Sequence, residues 1–241
     1  MRLVKIPLGN DGCEQAPERI TKLIPNTIIN ESGILKVTSK EEIIINNSED
    51  YSHIIESSLG KIDCFTIAIG GTNQITTPCF KAMIKDSSNS GIIIFCAKPP
   101  AYLQKMIAEN LVKPQNIILI GIRNWSKEDL ALIKQQNLKY YSMKELSFEG
   151  KEELCDSVMS VANPLQATYI TININVLDPA FAPATNNEEP GGMTTRELIY
   201  FIQRLKLLKN FKMADIVEVN PQKEVTDTTI KTAVKIITEL A

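Results

Sequence analysis

The run Ile92-Ile93-Ile94-Phe95-Cys96-Ala97-Lys98-Pro99-Pro100 decides how this chain folds. Its four leading residues are all apolar, so the strand they form has no face for water and must be covered on both sides. Ile117-Ile118-Leu119-Ile120 repeats the pattern. Strands covered on both faces are the habit of parallel sheets. Working outward, strands are expected over 3–8, 42–45, 65–69, 91–95, 116–122, 139–142, 168–174 and 215–219. Helical periodicity falls between them, over 78–85, 101–111, 126–136, 195–208 and 226–241. Ser126 with Asp129 three residues on reads as a capping box. Strand and helix alternate along the whole length, with no linker, repeat or low-complexity tract. The expected fold class is α/β: a three-layer α/β/α arrangement with a mainly parallel sheet of about eight strands, in one domain over 1–241.

Composition narrows the function. The chain has 241 residues, 44% hydrophobic and 22% charged, which excludes disordered, fibrous and coiled-coil classes. Lys and Arg number 26 against 28 Asp and Glu, so neither nucleic acid nor an anionic membrane is an expected partner. No apolar run approaches the ~20 residues of a membrane span. The opening residues lack a signal-peptide core, so a cytoplasmic location is expected. Five scattered cysteines without a Cys-x-x-Cys pair read as reduced thiols. The one histidine, His53, lies in an early amphipathic stretch. Any site that needs two histidines from this chain is excluded.

Three strand ends concentrate polar or turn-forming residues. Ile69-Gly70-Gly71-Thr72-Asn73 sets two glycines after a buried strand, for a sharp turn or a close approach, without the spacing of a phosphate loop. Cys96 and Lys98 leave the next strand two residues apart, which points them the same way in an extended chain. Asn173 and Asn175 also share a face and need hydrogen-bond partners, which local turn chemistry could supply. The irregular stretch 178–192 follows that strand, where functional loops of open α/β sheets sit.

These segments together resemble the ureohydrolase family, the arginase and agmatinase group. Thr171-Ile172-Asn173-Ile174-Asn175-Val176-Leu177-Asp178-Pro179-Ala180-Phe181-Ala182-Pro183 is similar to its signature Ser-x-Asp-x-Asp-x-x-Asp-Pro-x-x-x-Pro. Pro190-Gly191-Gly192-Met193-Thr194, Ile120-Gly121-Ile122-Arg123 and Glu218-Val219-Asn220-Pro221 resemble further elements, and the matches run in family order from about residue 8 to 221. The resemblance implies hydrolysis of guanidino compounds by a hydroxide between two manganese ions held by aspartates and histidines. It also implies the departures. At the six ligand positions this chain has Asn73, Cys96, Lys98, Pro100, Asn173 and Asn175.

The expectation is therefore a metal-free pseudoenzyme, without the family's manganese, acting as a structural or regulatory subunit. By resemblance it forms a homo-oligomer, trimer or hexamer, or a hetero-oligomer with an active relative. One alternative is a binder of a guanidino or amine compound in the former active-site pocket, lined by Asn73, Cys96, Lys98, Asn173, Asn175 and Glu218. Another is metal-independent chemistry at Cys96, with Lys98 favouring its thiolate. Glu218 either pairs with a guanidinium or forms an ion pair with Lys98, the second being favoured. Asp178 is expected to brace the loop that follows it.

Overall fold

The structure is a computed structural model that describes residues 1–9, 11–45, 50–85, 87 and 89–241, apart from the side chains of 35 and 36. Its strands are β1 (Arg2–Ile6), β2 (Thr27–Asn30), β3 (Gly33–Lys36), β4 (Ser39–Glu42), β5 (Thr66–Gly70), β6 (Ser90–Phe95), β7 (Ile117–Ile122), β8 (Lys139–Ser142), β9 (Ala167–Asn173) and β10 (Phe211–Val217). The helices are α1 (Ala16–Leu23), α2 (Tyr51–Leu59), α3 (Thr76–Ile84), α4 (Tyr102–Ala108), α5 (Lys127–Gln136), α6 (Met143–Glu149), α7 (Lys151–Ala162), α8 (Thr195–Leu205) and α9 (Thr228–Leu240). Eight strands form one sheet in the order β4-β1-β5-β10-β9-β6-β7-β8. Every pairing in it is parallel. The α/β expectation and the strand count hold.

The apolar runs do what their composition requires. In β6, Ile93 and Phe95 enter one core while Ile92 and Ile94 enter the other. In β7, Ile118 and Ile120 face the first and Ile117 and Leu119 the second. The first core is roofed by α1, α7, α8 and α9 through residues such as Ile20, Val158, Phe201 and Ile236. The second lies under α2, α3, α4 and α5 through Ile55, Phe80, Leu103 and Ile133. Ser126 caps α5 as expected: its side chain accepts from the Asp129 N–H while Asp129 accepts from the Ser126 N–H.

Two departures have physical causes. The strand expected over 42–45 is β4, three residues earlier and polar. It is a sheet edge, where one side of the backbone meets solvent and Lys40, Glu41 and Glu42 are tolerated. The antiparallel hairpin β2–β3 was not expected at all. Ile28 faces the core while Ile29 and Ile34 are exposed, and Asn30 Nδ2 ties the hairpin to α9 by donating to the Thr238 carbonyl at 2.5 Å. None of the helices is long and apolar enough to cross a membrane, among the described residues.

Candidate functional site

The carboxyl ends of β5, β6, β7 and β9 meet the loop after β9 around a cavity of about 600 Å³. Ligands of open α/β sheets bind at this end. Asn73 follows β5, Ala97 to Ala101 follow β6, Asn124 follows β7, and Asn173 and Asn175 close β9. The loop contributes Asn186, Asn187, Glu188 and Glu189.

Each wall has a local cause. At the end of β5 the chain passes so close to the first loop that a Cβ on Gly71 would lie 2.3 Å from the Leu8 carbonyl oxygen. Only glycine fits that approach. At the end of β9, Asn173 accepts the Asn175 N–H through Oδ1 at 3.1 Å, and this Asx turn stops the strand one residue short of the expected 174. Asn175 Oδ1 in turn accepts the Ala97 N–H at 3.1 Å, which ties β9 to the chain leaving β6.

The loop after β9 is held by two charged residues. Asp178 is the brace the sequence led us to expect: Oδ1 accepts from Ala180 N–H at 2.9 Å, and Oδ2 from Gly191 and Gly192 N–H at 2.7 and 3.1 Å. The Ala180 bond first, then the two glycine bonds, hold its carboxyl below the usual range. Arg123 donates to the carbonyls of Gly121, Asn175, Val176, Leu177, Glu189 and Pro190 at 2.6 to 3.3 Å. Nothing local in the sequence marks Arg123 as the tie for this loop. Its acceptors are main-chain oxygens, which any residues could supply.

Lys98 and Glu218 do not pair. Lys98, its side chain 52% exposed, extends toward the start of α5, with Nζ 3.6 Å from Asp129 Oδ2. Glu218 has φ of 69°, a left-handed turn that sends its carboxylate back to accept the Asn73 N–H at 2.8 Å. It is 6% exposed and sits behind the cavity wall. Burial pushes its carboxyl up, the Asn73 N–H opposes that, and Asp11 adds to it.

Cys96 also stands apart from the cavity. β6 ends at Phe95, and the Cys96 side chain stays with Ile92 and Ile94 in the core under α2 to α5, while the chain turns and carries Lys98 outward. Burial raises its thiol, against a smaller opposing effect of Arg123, so the thiol form is favoured over the thiolate. His53 is exposed on α2. Of the expected pocket residues, the structure brings Asn73, Lys98, Asn173 and Asn175 together and leaves Cys96 and Glu218 behind the wall.

The residues present do not fit the two manganese ions that the resemblance implies. Hard divalent cations want several oxygen donors, anionic ones above all. Here Asn173 and Asn175 spend their oxygens on backbone N–H groups, Lys98 brings positive charge, and Pro100 has no donor. Among the described residues, no three or more His, Cys, Asp or Glu stand together to hold a metal.

Comparison with known proteins agrees with this architecture. Residues 100–241 match the arginase family. The agmatinase of Bacillus cereus is 30% identical over 209 residues, covering 80% of this chain and 70% of that protein. The agmatinase of Bacillus subtilis (strain 168) is 32% identical over 188 residues, covering 73% of this chain but 62% of the relative's own length. The crystal structure of arginase from Bacillus subtilis superposes with a TM-score of 0.88 at 22% identity, over 100% of this chain and 97% of that one.

Proposed function

We propose, on the premise that this chain belongs to the arginase family, that it is a non-catalytic member of it. In this reading the chain is a metal-free pseudoenzyme and serves as a structural or regulatory subunit, in a homo-oligomer or beside an active relative. One observation carries the reading: where manganese needs anionic oxygen, the cavity presents the carboxamides of Asn73, Asn173 and Asn175 and the ammonium of Lys98. Asparagine keeps the outline of aspartate without its charge. A cavity that lost its ions but kept its carboxylates would leave buried like charges, at a cost of several kcal/mol each.

The test is elemental analysis after dialysis against excess Mn²⁺, followed by urea release from arginine and agmatine. The expected result is less than one manganese per ten chains (roughly, trace occupancy) and no urea above background. One or two tightly held ions per chain, with urea release, overturns the reading. Native mass spectrometry with a co-expressed active relative tests the partner, and the expected species is a mixed oligomer. The guanidino-binding and Cys96 alternatives find less support, because Glu218 and Cys96 stand behind the cavity wall.

A further inference from the structure

We propose that the cavity at the ends of β6 and β9 is a site for a small carboxylate, held by the side-chain amides of Asn173 and Asn175 and by Lys98. The inference rests on reading this cavity as other than a manganese centre.

The orientation of the two carboxamides is fixed. Asn173 Oδ1 faces the N–H of Asn175 and Asn175 Oδ1 faces the N–H of Ala97, each at 3.1 Å. Both partners are backbone donors, so only the amide oxygen can face them and a flipped amide would set N–H against N–H. Each Nδ2 is thereby turned away, with two hydrogens to give. Neither has an acceptor among the described residues, although the two residues are only 9% and 7% exposed and both line the cavity. Donors held in a fixed direction on nearly buried side chains, and open to the cavity, are ready for an acceptor that enters it.

What suits them is a group that only accepts, and an ionised carboxylate is one. Two oxygens can take a hydrogen from each amide, and charge-assisted bonds of this kind are the stronger sort. Lys98 supplies the countercharge on a long, half-exposed arm. Its contact with Asp129 is long, 3.6 Å, and its own end of the pair is half exposed, which leaves it free to exchange. The acidic groups nearby set the upper limit on the ligand's charge. Glu188 is 3.7 Å from Lys223, Glu189 accepts from Asn124 Nδ2 at 2.6 Å, and Asp129 also caps α5. All three line the same cavity, so each further negative charge on a ligand would be repelled by them.

Titration of acetate into protein with ¹⁵N-labelled asparagine tests this, at constant ionic strength made up with chloride. The side-chain amide resonances of Asn173 and Asn175 should shift and saturate with a dissociation constant on the order of millimolar. Asn173→Asp with Asn175→Asp keeps an oxygen for each backbone N–H but removes both donors, and should weaken acetate binding at least about tenfold. Lys98→Met, at an exposed position that the fold does not use, should weaken it about threefold or more. Equal shifts with chloride, no saturable shift, or unchanged affinity in both variants overturns the inference. If acetate fails to bind and manganese also fails to bind, the carboxylate site falls and the non-catalytic reading stands. Manganese uptake brings down the reading beneath.

Discussion

Asp215 lies mid-strand in β10, fully buried, its Oδ2 accepting the Tyr169 hydroxyl at 2.7 Å and its Oδ1 without a hydrogen-bond partner among the described residues. Among the described residues no cation faces it: Tyr169 and Thr171 of β9, Thr76 and Cys79 of α3, and Tyr102 of α4 are its polar surroundings. Burial pushes its carboxyl up to about 6, against the hydroxyls of Thr171, Tyr169 and Thr76. An unfolded aspartate titrates near 3.9, so the folded value is the higher one. The stability this proton contributes is fully present below about pH 4 and is lost as the pH rises through about 6. A shift of about two units corresponds to roughly 3 kcal/mol. Asp215→Asn keeps an acceptor for Tyr169 and removes the titration. Urea unfolding from pH 4 to 7 should show the wild type losing about 2–3 kcal/mol relative to this variant. Parallel pH profiles would remove Asp215 as the cause.

Beside Asp178, the loop after β9 depends on the guanidinium of Arg123. Arg123 reaches six carbonyls from a planar fork, and a lysine ammonium cannot copy that geometry. Arg123→Lys should cost about 2–3 kcal/mol in urea unfolding and speed amide exchange at Gly191 and Gly192. Unchanged exchange at those glycines would mean that Asp178 alone holds the loop. The element scale also shows what can be read in a sequence and what cannot. β6 and β7 were legible because Ile92 to Phe95 and Ile117 to Ile120 leave no polar face, and the structure divides each run between two cores. The cap of α5 was legible because Ser126 and Asp129 act over three residues. β4 was displaced toward the apolar Ile43 because an edge strand pairs through its backbone and can be wholly polar. The β2–β3 hairpin went unseen because Ile28-Ile29 and Ile34-Leu35 break the alternation that marks a half-buried strand. At the site, the family motifs located Asn73, Lys98, Asn173 and Asn175. The partner of Lys98 lay outside their reach, because Asp129 meets it through tertiary packing alone. Cys96 departs from the expected direction for a related reason: β6 ends at Phe95, so strand alternation does not extend to it.

Across the whole molecule, the order of strands departs from the order of the chain. β10 lies between β5 and β9 and pairs with both. It brings Met213, Ala214, Ile216 and Val217, all fully buried, to the middle of the sheet. A chain cut after residue 210 loses these contacts together with α9, and the halves β4-β1-β5 and β9-β6-β7-β8 no longer share a strand. Such a fragment should lack the cooperative thermal transition of the full chain when followed by circular dichroism, and a retained sharp transition would show that one half folds alone. The same placement has a consequence during synthesis. A ribosome makes β5 long before β10 and β9 only shortly before it, so the nascent polypeptide carries the open, apolar margin of β5 while β6 to β9 are still being made. That sticky interval ends only when β10 has been made and can slot into place between β5 and β9.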